Sequence, residues 1–507
     1  MRRSGTGRAL ARSFILAFLA LAPCLAGAAE PARLPATLRK ALAAAGIPIG
    51  ATAVYVQDVA ARTPMLSYNA SRPMNPASSA KLVTTYAALE MLGPSFTWKT
   101  QAYAGGPMRG DVLDGDLVLR GTGDPKLTIE NFWLLLRALR ERGLREIRGD
   151  LVLDHSYFAP APYDPGKFDN EPARAYNVGP DALLVNFNAI RFHFGPDLEA
   201  KSLRVIPEPR PAQIELRASV ALSDAPCGDW RSQIRAEFDS NDASARVNFS
   251  GTYPAACGEN TWNVALLSHD SYLWGLFREL WDELGGSFKG GVRDGTVAPD
   301  SRLIYSAESP PLSEVVRDIN KFSNNVMARQ LFLTLSAEAL HVPGDEHLSE
   351  GLIRDWALRK GIAADEIALE NGAGLSRSDR ISALTFGKLL VAAWHSPVMS
   401  ELVASMPVVA SDGTMRRRLH GSDVAGQAHI KTGTLAGVRT LAGYVLARDG
   451  RRFAVVFLVN HPNAAAAEAA QDQLLRWVYE AGRAVPREAG GGRRDVDRSE
   501  ARSQMRE

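Results

Sequence analysis

Asn75–Gly93 reads NPASSAKLVTTYAALEMLG, and the reading of one lysine in it decides the fold. Leu82, Tyr86, Leu89 and Leu92 recur at helical spacing, and Gly93-Pro94 supplies a stop. The pattern predicts a helix opening near Ser78. Ser78 and Lys81 stand three positions apart and share one face of it. Two readings compete. In the first, Ser78 or Ser79 caps the helix and Lys81 is a solvated first-turn residue, the usual meaning of an isolated S-x-x-K. In the second, Ser78 is a nucleophile and Lys81 is the base that takes its proton. The stretch alone admits both.

Two further runs separate them. Ser323-Asn324-Asn325 falls in a break between the helical patterns PLSEVVRDINKF and NVMARQLFLTLSAEAL. Lys431-Thr432-Gly433-Thr434 opens a strand pattern. Singly, S-N-N is a common turn and K-T-G a common strand start. In the order S-x-x-K, S-x-N, K-T-G they resemble the signature set of active-site serine penicillin-recognising enzymes. S-x-x-K and K-T-G each occur once in the chain.

The residue types suit that chemistry. A serine hydroxyl attacks only when a base removes its proton, and a lysine is a base only when neutral. Burial and a neighbouring positive charge, such as Lys431, favour neutral Lys81. Ser323 would relay the proton to a leaving amine, and Asn325 would orient Lys81 and hold a substrate amide. The strand from Lys431 would add an extended peptide as a further strand, with Gly433 allowing close approach. The amides of Ser78 and Thr434 would stabilise an oxyanion, and Lys431, Thr432 and Thr434 would meet a terminal carboxylate.

The chain has 507 residues, 46% hydrophobic and 22% charged, a globular composition sufficient for two to four domains. Residues 1–28 stand apart. Arg2, Arg3, Arg8 and Arg12 precede the apolar run SFILAFLALAP, and small residues at Ala26–Ala28 follow. This is the pattern of a cleaved export signal, and the apolar run is too short for a membrane span. Pro23 disfavours the rival reading, a lipoprotein signal ending at Cys24. Removing the segment shifts the formal net charge from +2 to −2, which excludes a basic nucleic-acid-binding protein. Cys227 and Cys257 remain, and an even pair in an oxidising compartment is expected to form a disulfide. No H-x-x-x-H or H-E-x-x-H run supports a metal, so none is expected, and no cofactor is implied. His420, His429 and His461 read as structural or surface residues, because Lys81 already supplies the base.

GATAVYVQDVA and TPMLSYNA form a hairpin pattern ahead of the Ser78 helix, and KTQAYAGG, GDLVLRGTGDPKL and EIRGDLVLDHSYF read as strands and turns. Residues 160–299 are rich in short strands and prolines, and AHIKTGTLAGVRTLAGYVLARDGRRFAVVFLVNH reads as two or three late strands. The early hairpin and the late strands would share one sheet, making the middle an insertion. The expected division is a catalytic domain over 29–100 plus 300–485, an inserted region over 101–299 in two subdomains, and a disordered tail over 486–507.

The stretches NPASSAKLVTTYAALEMLGPSFTWKT, LRGTGDPKL, GDLVLDHSYF, INKFSNNVMARQL, NGAGLSRSDRISA, SDGTMRRRL and KTGTLAGVRTLAGYV resemble the D-alanyl-D-alanine carboxypeptidase/endopeptidase family, the low-molecular-mass class C penicillin-binding proteins. The likeness runs from about Ala51 to Trp477. It implies an α/β (α+β) architecture: a β-lactamase/transpeptidase-like domain, with an antiparallel sheet between helices, carrying a long mostly-β insertion of two smaller domains. It implies a periplasmic serine DD-peptidase acting on peptidoglycan and acylated by β-lactams at Ser78. It also carries recognition of the stem peptide's free amino end onto Asp154 and Arg377. Asn324 stands where the family often has Asp, at a position expected to face away from the chemistry. The nearest rival is a serine β-lactamase, but the long insertion and the absence of any Leu-Asn dipeptide speak against the class A form. A rival of another class is a catalytically weak cell-wall scaffold, which D-Ala-D-Ala turnover would separate.

Overall fold

The structure, a computed structural model, describes residues 33–241 and 243–481. The expected export signal and C-terminal tail lie outside the described residues. The central sheet has five strands in the order Leu66–Tyr68, Thr52–Asp58, Arg452–Asn460, Val438–Leu446, Ala428–Leu435. All four pairings are antiparallel, and Thr52–Asp58 pairs with Arg452–Asn460 from Thr52↔Val459 to Asp58↔Phe453. Chain ends hundreds of residues apart thus complete one sheet.

Alternation along these strands serves two cores. Tyr55, Ala442, Tyr444, Val456 and Leu458 face the helices Lys81–Leu92, Leu312–Phe322, Asn325–Leu340 and Ala383–Trp394. Val54, Val56, Leu441, Val455 and Phe457 face the helices Ala36–Ala44 and Glu468–Ala481. Helices cover both faces, which is why RFAVVFLVN at Arg452–Asn460 is an unbroken apolar run.

Between the two parts of this domain lie a five-stranded mixed sheet, a four-stranded sheet of short strands and a six-stranded sheet. The expected divisions near 100 and 300 run through the mixed sheet, because Lys99–Gly105 pairs with Arg302–Glu308 in antiparallel register. The apolar interiors of the inserted sheets join: Leu117 and Leu119 belong to the same cluster as Phe192 and Phe249, bridged by the helices Ile129–Glu141 and His269–Glu283. Cys227 and Cys257 form a disulfide with a Cα–Cα distance of 4.8 Å. No described helix is long and apolar enough to cross a membrane.

Candidate active site

The helix of the opening stretch starts one turn later than its serines. Ala77–Ala80 is a 3₁₀ turn, and the α-helix spans Lys81–Leu92 without any side-chain cap. Neither serine caps it. Ser79 Oγ donates to Pro76 O at 2.6 Å, and Ser78 Oγ accepts from Lys81 Nζ at 3.2 Å. The turn is tightly held. Ala77 takes φ 46°, a left-handed conformation unfavourable for a residue with a Cβ. Asn75 secures it by accepting from Ala77 N–H at 2.8 Å and donating to Ser376 O at 2.8 Å. Thr440 Oγ1 donates to Pro76 O at 2.7 Å.

Lys81 has no exposed surface. Its Nζ also donates to Asn325 Oδ1 at 2.6 Å and to Ala373 O at 2.5 Å. Burial above all, then the charges of Lys431 and Arg329, push its pKa well down, against an opposing pull from Asp379. Asp379 is itself pushed up to about 6, mainly by burial. The amine is thereby biased toward the neutral form a base requires.

The second motif is shaped by a helix break. Ser323 ends the helix Leu312–Phe322 in the left-handed region at φ 58°, and Asn324 Oδ1 caps Asn325–Leu340 by accepting from Met327 N–H at 3.0 Å. Asn324 is occupied as a cap, a task Asp performs equally well. Its neighbours on either side face the site. Ser323 Oγ accepts from Lys431 Nζ at 2.7 Å, and Asn325 Oδ1 holds Lys81.

Lys431 is fully buried, and burial lowers its pKa to about 7. Its strand, Ala428–Leu435, is the sheet edge. Residues 407–409 cover the first part of that edge, where Val409 N–H donates to Ala428 O and Ile430 N–H donates to Pro407 O. Alternation turns the polar groups of Thr432 and Thr434 the same way, onto the uncovered part. Gly433 packs directly on the nucleophile turn: an added Cβ would lie 2.3 Å from Thr440 Oγ1 and 2.9 Å from Ser78 N. Gly374 presses on the same turn from the other side, where a Cβ would lie 2.0 Å from Ala77 O. The amides of Ser78 and Thr434 are therefore near neighbours.

Arg377 lies at the end of this strand, donating to Ala436 O at 2.9 Å and resting on the Phe168 ring. Asp154 is placed differently. It closes the inserted strand Leu151–Asp154, buried, with its carboxylate accepting from the N–H groups of Ser156 and Val297, both at 3.0 Å. Burial raises its pKa, but these bonds and Arg120 outweigh burial and hold it below the usual carboxylate range. No hydrogen bond or ion pair among the described residues links Asp154 to Ser78 or Lys81.

Several site residues carried no signal that sequence reasoning used. Asp379 and the Ala373 carbonyl flank Lys81, and backbone carbonyls are invisible in a sequence. Thr414 bonds Thr432 hydroxyl to hydroxyl at 2.9 Å, and Arg439 donates to Thr434 Oγ1 at 2.6 Å. The loop over residues 159–180 of the insertion also borders the site. Tyr176 O accepts from Asn325 Nδ2 at 3.4 Å, and Arg329 donates to Tyr163 Oη and to Val178 O.

Known proteins resemble this chain in sequence and fold. Residues 34–481 match the D-Ala-D-Ala carboxypeptidase 3 (S13) family. The chain is 29% identical over 451 residues to a D-alanyl-D-alanine carboxypeptidase of Actinomadura sp. (strain R39), covering 85% of this chain and 82% of that protein. It is 26% identical over 395 residues to D-alanyl-D-alanine carboxypeptidase DacB of Haemophilus influenzae, covering 78% and 82%. The crystal structure of penicillin binding protein 4 (dacB) from Haemophilus influenzae superposes with a TM-score of 0.72 at 24% identity, over 85% of this chain and 96% of that one, which shows a common fold. Because the match spans nearly all the described residues, the chain belongs to the D-Ala-D-Ala carboxypeptidase 3 (S13) family of serine peptidases.

Proposed function

We propose that the protein is an exported, periplasmic serine DD-peptidase that acts on peptidoglycan stem peptides through an ester on Ser78. The observation that carries this reading is Lys81, a buried amine bonded to Ser78 Oγ and biased toward neutrality by its surroundings. Neutral Lys81 takes the Ser78 proton, and Oγ attacks the carbonyl carbon of the penultimate D-alanine. The amides of Ser78 and Thr434 receive the oxyanion, each donor being worth about 10²–10³ in rate. The C–N bond to the departing residue breaks, and its nitrogen takes a proton through Ser323 from the Lys81–Lys431 pair. Water, deprotonated by the same base, then cleaves the ester and restores Ser78.

The uncovered edge at Thr432–Thr434 suits strand addition by an extended peptide, and Gly433 keeps that path clear. Lys431, Thr432 and Thr434 would take the terminal carboxylate. Arg377, beside the same strand end, is the candidate for the stem peptide's far end. The Asp154 carboxylate is already committed to two backbone N–H groups, so its share in that recognition would be secondary to anchoring the insertion. A β-lactam would open on Ser78 by the same attack. One related protein, penicillin binding protein 4 (dacB) from Haemophilus influenzae, has been crystallised in complex with a β-lactam.

The test is the intact mass of the mature protein with benzylpenicillin over time, beside a Ser78→Ala variant, together with D-alanine release from a D-Ala-D-Ala peptide. A lasting adduct on the unaltered protein alone, with peptide turnover, is the expected result. Rapid loss of the adduct with drug consumption would indicate a β-lactamase. Neither adduct nor turnover would return Ser78 to a structural role and favour the scaffold reading.

A further inference from the structure

Outside this site, the insertion gathers His155, Asp270, Asp294 and Asp181 from separate segments. His155 follows the strand Leu151–Asp154, Asp270 lies in the first turn of His269–Glu283, and Asp294 ends the strand Val292–Asp294. Asp181 orients the imidazole, with His155 Nδ1 2.7 Å from Asp181 Oδ1. That aspartate is itself immobilised: Leu183 N–H donates to its carboxylate at 2.7 Å, and its backbone exchanges two hydrogen bonds with the Gln330 amide. A carboxylate on Nδ1 fixes the ring, the arrangement that supports metal-ligating histidines. Against the lowering effect of burial, Asp181 and Asp270 push the His155 pKa up to about 10, so an ion at Nε2 displaces a proton.

Nε2 faces the other two carboxylates, 3.2 Å from Asp270 Oδ1 and 3.8 Å from Asp294 Oδ1. It is sealed from solvent and makes no aligned hydrogen bond despite that proximity. One donor atom from each of His155, Asp270 and Asp294 lies within 4.8 Å of the others. Ligands about 2.1 Å from a tetrahedral zinc stand roughly 3.4 Å from one another, so the three donors need only contract slightly around an ion.

We propose that His155, Asp270 and Asp294 form a divalent transition-metal site, with Asp181 as the positioning residue. The mixed nitrogen and carboxylate donor set favours Zn²⁺ over Ca²⁺ or Mg²⁺, which prefer oxygen alone. Asp294 is 75% exposed, so an ion would reach the buried Nε2 past this carboxylate. The ion ties three segments of the insertion together. Through Asp181 and Gln330 it also braces them against the helix that begins with Asn325. Sequence motifs miss such a site because its ligands come from positions 155, 270 and 294, with no local spacing.

The experiment is calorimetric titration of the untagged mature protein with ZnCl₂ and with CaCl₂, repeated on Asp294→Asn and His155→Gln. One zinc per chain is expected, with calcium at least tenfold weaker and both variants at least tenfold weaker for zinc. Zinc should raise the melting temperature of the unaltered protein and not that of Asp294→Asn. Absence of zinc binding at millimolar metal would show that a proton on Nε2 is the sole cation there and would overturn the proposal. Equal zinc stoichiometry and affinity in Asp294→Asn would overturn it too, by placing the metal elsewhere. The Asp294 side chain is 75% exposed, so that variant decides the matter even if His155→Gln fails to fold.

Discussion

Lys431 Nζ and Ser323 Oγ meet at 2.7 Å across 108 positions of sequence. That contact joins the second and third motifs, and Lys81 with Asn325, at 2.6 Å, joins the first to the second. Each buried lysine is thus bonded to a serine oxygen, and the charge of Lys431 is one of those that lower the Lys81 pKa.

Lys81→Met is expected to lower the rate of acylation by benzylpenicillin by about 10²–10⁴, the usual contribution of a positioned base. Because it removes a buried amine, its melting temperature should equal or exceed that of the unaltered protein. Stopped-flow acylation and thermal unfolding check the two halves, and a slow, destabilised variant would point to a purely structural lysine.

Lys431 titrates at about 7 in the folded protein against an ordinary 10.5, because of burial. Between those values the unfolded chain holds a proton that the folded chain has released, so this residue makes stability rise with pH across the window. Below about pH 7 both states are protonated and the burial penalty is fully present. The difference in urea midpoint between the unaltered protein and Lys431→Met should therefore move in favour of the unaltered protein from pH 7 to 10. A difference independent of pH would show an ordinary lysine.

Gly433→Ala places a methyl group 2.9 Å from Ser78 N and 2.8 Å from Pro76 O. Something must shift, and the nucleophile turn is what it meets. A displacement near 1 Å lowers rates by about 10². Acylation should fall by that order while circular dichroism stays native; acylation within twofold would mean the turn yields freely.

Arg377→Ala should leave benzylpenicillin acylation within about twofold but reduce kcat/KM for an extended stem peptide by roughly tenfold or more, the worth of a charge-assisted hydrogen bond. Equal losses on both substrates would indicate instead that Arg377 supports the strand end at Ala436.

Cys227→Ser with Cys257→Ser opens a loop of sequence separation 30. Loop entropy predicts a loss of about 3–4 kcal/mol for the inserted region. The serine site lies on the other sheet, so acylation should be unchanged. Urea unfolding and acylation kinetics on one preparation check both, and an unreduced protein with two free thiols would refute the pairing.

Much of this was legible from residue order. Period-2 and period-3.6 patterns located the early hairpin, the late strands and the helix at Lys81–Leu92, because one-sided burial writes itself into hydrophobic spacing. The limits of the insertion were less legible. Lys99–Gly105 and Arg302–Glu308 are partners in one sheet, and no local signal marks which sheet a strand joins. Capping was ambiguous for a similar reason: a serine before a helix reads as a cap whether its oxygen turns to the backbone or to Lys81.

By itself the sequence determined the three motifs, the cysteine pair and the assembly of one sheet from both ends of the chain, since each is a matter of residue type and order. Tertiary structure decided what those residues are. It buried Lys81 beside Lys431 and Arg329, turned Asn324 into a cap, left Thr432–Thr434 uncovered at the sheet edge, and drew His155 against Asp181, Asp270 and Asp294. The reason is physical. A side chain's type is local, but its pKa, its partners and its access to water depend on groups that only folding brings near.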